Sequence, residues 1–360
     1  MNRSPETSGP GRTRARPLAI AAIVASLVLL GAGAARAQDR TRAKPLYWGA
    51  WIGDQLTGEE APWDMSAVSS FESMAGKGMS LVNFSSPFAN CSSKPCTPYS
   101  FPTTPFDNIR RHGAIPFFSW NSASLPVHVD EPDYRLAAVT RGAFDAYIRS
   151  WAGAAKRWGH PFFLRFNWEM NGEWFPWGAS ANGNTARDYV RAWRHVHDVF
   201  TSAGASNATW VWCPNVDPGS RMTSLSRLYP GNAYVDWTCL DGYSKNSART
   251  SFHSLFWSTY KRITTRIAPS KPMVIGETAA SEVGGAKSRW IADVLTRELP
   301  LHFPKVRAFL WFEKFDDGED WPIETSARAR ISFAHGIASS RYVGSAFGAL
   351  ASSGPIRPLR

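Results

Sequence analysis

Eight short apolar runs, each closing on polar or aromatic residues, punctuate the chain from residue 46 onward. They are Leu46–Ile52, Ser80–Phe84, Ala114–Trp120, Phe162–Trp168, Thr209–Cys213, Cys239–Tyr243, Met273–Gly276 and Val306–Phe312. Such short runs, bounded by turn-forming residues, predict buried strands. Between them lie amphipathic stretches long enough for crossover helices, among them Ala143–Trp158, Ala186–Ala203, Leu255–Ile267 and Ala286–Glu298. Strand alternating with helix eight times over is the pattern of a (β/α)8 TIM barrel. A doubly wound open sheet is the competing fold, but no glycine-rich nucleotide loop follows the first strand. There is no internal repeat and no appended module. The tail from Phe347 onward, rich in Ala, Ser, Gly and Pro, is expected to fray.

In a barrel of this kind the chemistry sits at the carboxyl ends of the strands, so the residues closing each run carry the functional signal. Those ends read Trp51 or Asp54, Asn83 to Ser86, Trp120-Asn121, Trp168-Glu169, Asn215, Tyr243, Glu277, and Trp311 to Glu313. The most informative is the fourth, where Pro161-Phe-Phe-Leu-Arg-Phe-Asn-Trp-Glu-Met-Asn-Gly-Glu-Trp-Phe-Pro-Trp-Gly178 turns from an apolar strand into a loop of carboxylate, amide and indole. A carboxyl group at a strand end, ringed by aromatic rings and amides, suits the holding of a sugar and the cleavage of its glycosidic bond. Glu277, after Pro272-Met-Val-Ile-Gly276, is the second carboxylate. It would emerge across the barrel mouth from Glu169, close enough for the two to flank one bond. The plainer alternatives are a surface carboxylate at 169 and a salt-bridged structural one at 277.

Residues 1–37 carry the marks of an export signal: a basic region with Arg12, Arg14 and Arg16, an uncharged apolar stretch from Pro17 to Ala35, and Ala35-Arg36-Ala37 as a cleavage site. The expected mature start is near Gln38, leaving residues 38–360 as one catalytic domain, secreted and with no membrane segment. An uncleaved anchor is the competing reading. The formal charge of +11 includes five arginines and one glutamate of this leader, and the remainder is spread without a basic run, which argues against nucleic-acid binding. Four cysteines in an exported chain suggest disulfides. Cys91 and Cys96 bracket a short loop, while Cys213 and Cys239 lie on neighbouring strands, so 91–96 with 213–239 is expected, two other pairings remaining open. Neither pair has a zinc-ribbon spacing.

The residues Arg165-x-x-x-Glu169-Met-Asn-Gly-x-Trp-x-x-Trp-Gly178 resemble the fourth-strand motif of glycoside hydrolase family 26, best known for secreted β-mannanases with a (β/α)8 fold. Further matches follow in order: Trp212-Cys-Pro-Asn215, Asp241-Gly-Tyr243, Ile275-Gly-Glu277-Thr and Val306-Arg-Ala-Phe-Leu-Trp-Phe312, so the likeness spans almost all of the chain beyond the leader. The resemblance implies that Glu169 is the general acid/base and Glu277 the nucleophile of a retaining hydrolysis. It also implies that Tyr243 hydrogen-bonds the nucleophile. Arg165, on the same strand as Glu169, would hold Glu277 charged. The chain departs from the family where His usually precedes the acid/base: here stands Trp168, after Phe166 and Asn167. Indole offers one N–H and a stacking face in place of imidazole, so the sugar need not be mannose.

Trp120, Trp174, Trp177 and Trp311 are candidate sugar platforms, since pyranose C–H faces pack on rings while hydroxyls seek amides such as Asn171 and Asn215. Trp151, Trp158 and Trp193 fall on predicted helices and read as packing. The eight histidines form no metal-ligand spacing. Asp316-Asp-Gly-Glu-Asp320 lacks the spacing of a known calcium loop. No metal or cofactor is therefore expected, and no serine-nucleophile elbow or phosphate loop is present. The reading is a monomeric, secreted retaining glycosidase whose partner is a β-linked polysaccharide, an endo-β-1,4-mannanase first. The alternatives are a β-glucanase or β-xylanase of the same fold, a catalytically silent sugar-binding barrel, or a basic surface protein binding anionic polymers.

Overall fold

The computed structural model describes residues 44–217, 223–351 and 354–360. The leader and its cleavage site lie outside them. Eight parallel strands form one closed sheet: β1 (Leu46–Ile52), β2 (Leu81–Asn90), β3 (Ile115–Leu125), β4 (Phe162–Phe166), β5 (Ala208–Trp212), β6 (Trp237–Ser244), β7 (Met273–Ala280) and β8 (Val306–Glu313). Each strand pairs with the next, and the ring closes where β1 pairs with both β2 and β8. This is the (β/α)8 barrel that the alternation predicts. Two-residue strands at Thr97–Pro98 and Tyr342–Val343 extend it at β2 and β1.

Among the described residues, seven α-helices of a turn and a half or more pack outside: α1 (Met65–Ala75), α2 (Thr103–His112), α3 (Asp145–Trp158), α4 (Ala186–Ala203), α5 (Phe252–Arg262), α6 (Lys287–Asp293) and α7 (Ala327–Ile337). Their ends are written in the local sequence. Thr185 and Asp188 cap α4 reciprocally at its start, and Gly204 closes it in the left-handed conformation. Between β5 and β6 the described residues hold a single turn, Leu225–Leu228, where the eightfold alternation predicts a full helix.

Strand alternation sorts the aromatic residues into two layers. Trp48, Trp120 and Trp311 point outward into the helices: Trp120 stacks on Trp151 of α3 at 4.6 Å, and Trp48 and Trp311 both pack on Phe333 of α7. Tyr47, Phe163 and Trp237 point inward and fill the amino-terminal end of the barrel. Both expected disulfides are formed, Cys91–Cys96 and Cys213–Cys239.

The tail departs from its composition. Its last described segment, 354–360, docks across the amino-terminal end of the strands and is not frayed. The backbone of Ile356 donates to Thr209 and accepts from the Trp237 indole, and its side chain is buried. Tyr47 reaches the carbonyl of Arg357, and Arg307 that of Leu359. The amide and carbonyl groups of a short polar tail found partners on a barrel floor that aromatic rings alone do not satisfy. Ile356→Ala should lower unfolding free energy by about 2–5 kcal/mol. Denaturant titration checks this, and a change below about 0.5 kcal/mol would mean that the tail is an ornament of the barrel floor.

Candidate functional site

Glu169 sits just past the end of β4, where the backbone leaves the allowed strand region twice. Asn167 and Glu169 both take positive φ, 44° and 54°. Each such residue costs on the order of 1–2 kcal/mol, and glycine would be the cheap choice. The turn is held in place: the Asn167 side chain exchanges bonds with Ser122, accepting from its N–H at 2.9 Å and donating to its hydroxyl at 2.9 Å. The Glu169 amide donates to the carbonyl of Cys213 at 2.7 Å. Its carboxyl group thereby enters the barrel mouth and is almost wholly buried.

Glu277 arrives from β7 by a different local device. The register with β8 slips between Ile275 and Thr278, and that with β6 slips at Leu240/Asp241, so Glu277 is re-aimed by bulges. The residue before it has to be glycine. A Cβ at Gly276 would lie 2.4 Å from the Cys239 sulfur and 2.7 Å from Asp241, because the inner disulfide and that carboxylate fill the space beneath.

One guanidinium organises the charges. Arg165 on β4 is fully buried and donates to Glu277, to Asp241 at 2.9 Å and to the Ser119 hydroxyl at 2.8 Å. Tyr243 donates to the second oxygen of Glu277. Opposite them, Glu169 accepts from the Trp174 indole at 2.7 Å and from the Asn215 amide at 2.7 Å. Asn215 is in turn fixed by a reciprocal pair with Asn171, at 2.9 and 3.0 Å. Single oxygens of Glu169, Asp241 and Glu277 all lie within 4.8 Å of one another.

Three carboxyls this close cannot all ionise beside a single cation. Burial, then the charge of Glu277, push Glu169 up to about 7, against the pull of its Asn215 and Trp174 bonds. Burial also pushes Asp241 well above the carboxylate range, with Arg165 opposing, and it holds the Tyr243 phenol up so that it remains a donor. For Arg165 burial disfavours the charge, yet Glu277 and Asp241 outweigh it and raise the guanidinium above its ordinary value. The same acidic trio has the spacing of metal ligands, but Arg165 already occupies two of its members. In the neighbouring group of Cys213, Cys239 and Asp241 both sulfurs are spent in the disulfide.

The cleft above these groups encloses about 770 Å³. Trp168, Trp174, Asn215 and Tyr243 line it, as the sequence suggests. Trp174 is 41% exposed and lies across Gly172, where even a Cβ would meet the ring at 2.3 Å. Trp168 carries the Arg165 guanidinium 4.9 Å over its ring, so the indole in the usual histidine position also shields the central cation. Asn171 acts behind the wall through Asn215. Trp177 lies behind it too, 1% exposed, its indole bonded to the carbonyl of Trp168 at 2.6 Å. Trp120 and Trp311, expected as platforms, are 0% and 1% exposed in the outer layer. Each is one position out of phase with an inward neighbour, Ser119 and Phe312, and strand alternation turns it away from the cleft. Trp51 and Phe312, read only as strand-end residues, and Phe175 and Trp321, not singled out, line the cleft as well. The alternation would have found Phe312; Trp321 comes from a loop with no period to read.

A closed barrel with two opposed, hydrogen-bonded carboxyls in an aromatic cleft at the strand carboxyl ends defines the class of (β/α)8 proteins built to handle sugars. The comparisons give the family. Residues 121–283 match the model of glycosyl hydrolase family 26. Endoglucanase H of Acetivibrio thermocellus is 32% identical over 298 residues, 80% of this chain and 30% of that protein. A mannan endo-1,4-beta-mannosidase A and B of Caldalkalibacillus mannanilyticus is 35% identical over 119 residues, 32% of this chain and 21% of that one. This chain therefore spans less than a third of the length of these relatives. Among solved structures, a Cellulomonas fimi endo-beta-1,4-mannanase double mutant superposes with TM-score 0.64 at 18% identity, covering 88% of this chain and 74% of that one. The Bacillus subtilis mannanase BCman gives 0.61 at 17%, covering 89% and 92%. These two share the fold. Over residues 121–283 the chain matches glycosyl hydrolase family 26, and its likeness to Endoglucanase H extends over 80% of it.

A raised carboxyl has a thermodynamic sign. Glu169 moves from an ordinary 4.5 to about 7 on folding, so the folded state holds its proton more tightly. Its stabilising effect is complete below pH 4.5 and is lost as pH rises through 7. Glu169→Gln, which cannot ionise, should therefore gain in melting temperature relative to the parent between pH 4.5 and 8. Melting curves of both proteins at several pH values check this; a constant difference would place the Glu169 titration in its ordinary range.

Proposed function

We propose that this chain is an exported, monomeric retaining glycoside hydrolase acting inside β-linked polysaccharide, β-1,4-mannan first. The observation that carries the reading is the unequal pair of carboxyls. Glu169 is buried, raised to about 7 and held by two neutral donors, as suits a proton donor. Glu277 is bonded to a guanidinium and a phenol, donors that favour a carboxylate. Their oxygens within 4.8 Å leave no room for a water between carboxyl and sugar, the spacing of double displacement.

In the first step a Glu277 oxygen attacks the anomeric carbon while Glu169 gives its proton to the glycosidic oxygen. The bond from carbon to that oxygen breaks, and the leaving chain departs as an alcohol. Glu169, now a carboxylate, takes a proton from water, whose oxygen attacks the same carbon and releases Glu277. Two inversions give net retention. Arg165 holds Glu277 in line and screens it from Asp241, and Trp174 positions the acid while offering its exposed face to a sugar ring. Export is supported by the leader pattern and by two disulfides.

A second reading, a β-glucan backbone, is favoured by the likeness to Endoglucanase H, which runs over 298 residues where the mannosidase likeness runs over 119. That relative is more than three times longer than the matched part, so its name need not describe this domain. Reducing-sugar release on galactomannan, glucomannan, mixed-linkage glucan and β-1,3-xylan separates the two. We expect cleavage of one backbone with the anomeric configuration retained by NMR. Glu277→Gln should abolish it, and Glu169→Gln should lower kcat by about 10²–10⁴-fold. Turnover surviving the loss of Glu277 would sink the assignment, and binding without turnover in the parent would mark a silent sugar-binding barrel.

A further inference from the structure

Lys287, the first residue of α6, is fully buried outside the barrel wall. Burying an ammonium is costly unless each of its three N–H groups finds an acceptor. Here all three do: the carbonyl of Asp320, the carbonyl of Pro322 at 2.7 Å and the hydroxyl of Thr325 at 2.8 Å. The two carbonyls flank a single residue, Trp321. The same loop is tied further by Glu313, whose carboxyl accepts from Ile323 at 3.0 Å, and by Asp320, which accepts from the Glu282 amide at 2.9 Å.

Trp321 lines the cleft and lies 5.2 Å from the ring of Tyr243, which is itself 5.4 Å from Phe312. Tyr243 donates to Glu277. The three rings form a continuous aromatic wall on the Glu277 side, facing Trp174 on the Glu169 side. Tyr243 and Phe312 stand on strands, whereas Trp321 comes from a loop held by hydrogen bonds and by its own burial in the core.

We propose that Lys287 is a positioning residue for substrate recognition: by clamping the peptide groups on both sides of Trp321 it fixes where that indole, 3% exposed, backs Tyr243 and shows its edge to the cleft beside Glu277. The inference rests on the glycosidase reading and adds a specificity element that lies outside the cleft.

The test compares Lys287→Met, Trp321→Ala and the double variant with the parent, by steady-state kinetics on the polymer that the parent cleaves and by binding of its oligosaccharides to each protein carrying Glu277→Gln. Met keeps the length of the side chain and removes the charge. Lys287→Met should raise KM and the oligosaccharide Kd about 10-fold with kcat changed less than 3-fold, and should leave the pH profile in place. Trp321→Ala should do the same at least as strongly, and Lys287→Met should add nothing to it. If Lys287→Met does not fold, Thr325→Val removes one of the three acceptors and should raise KM in the same direction. A role confined to stability would lower the melting temperature and leave KM and Kd at parental values, and that result overturns the inference while the glycosidase reading stands. A parent that neither cleaves nor binds any polymer overturns both.

Discussion

A single buried guanidinium sets the terms for everything around it. Arg165 can be charged in the barrel interior only with Glu277 and Asp241 beside it, and removing one partner from such a buried cluster typically costs about 3–5 kcal/mol. The surplus negative charge is then taken up by protons: burial raises Asp241 as well as Glu169, and Glu169 is the carboxyl whose donors are neutral. The asymmetry that glycoside cleavage requires is thus a matter of charge balance: three acids, one base, and a dry site that forbids the fourth state. Asp241 is not itself part of the cleft lining, yet it shares Arg165 with Glu277.

Local backbone geometry serves that charge arrangement. The left-handed residues at 167 and 169 and the bulges around Gly276 are each unfavourable alone, and each turns a carboxyl toward the same point. The inner disulfide occupies the volume beneath Gly276 and leaves no room there for a side chain. Strain here is held by specific bonds, from Asn167 to Ser122 and from Glu169 to Cys213, and not by general tightness of the fold.

The strands were legible because closed-barrel strands are buried on both faces and read as apolar runs. Their lengths were less so. β2 and β3 continue to Asn90 and Leu125 through Ser85 and Ser86 and through Ser122 and Ser124, whose polarity hides the strand that the backbone still makes. Glu169, Glu277, Trp174, Asn215 and Tyr243 were readable as strand ends in a specific motif. Trp120 and Trp311 were misplaced by attention to where a run ends in place of which side its last residue faces. Trp321 and Lys287 depend on contacts between segments far apart in the chain, and no local pattern announces them; Asp241 stands in a quoted motif, but its bond to Arg165 is visible only in the fold. The docked tail is the same case: its composition says loop, and only the unsatisfied floor of the barrel explains its order.

That tail also fixes a direction. It closes the amino-terminal end of the strands, while the cleft opens at their carboxyl ends, so residue 360 and the cleft lie at opposite poles of the barrel. A tether, a bead or a second protein joined at residue 360 would hold the molecule with its mouth facing outward. Immobilisation through this end would leave long polymers free to approach, which attachment near the loops after β4 or β8 would not.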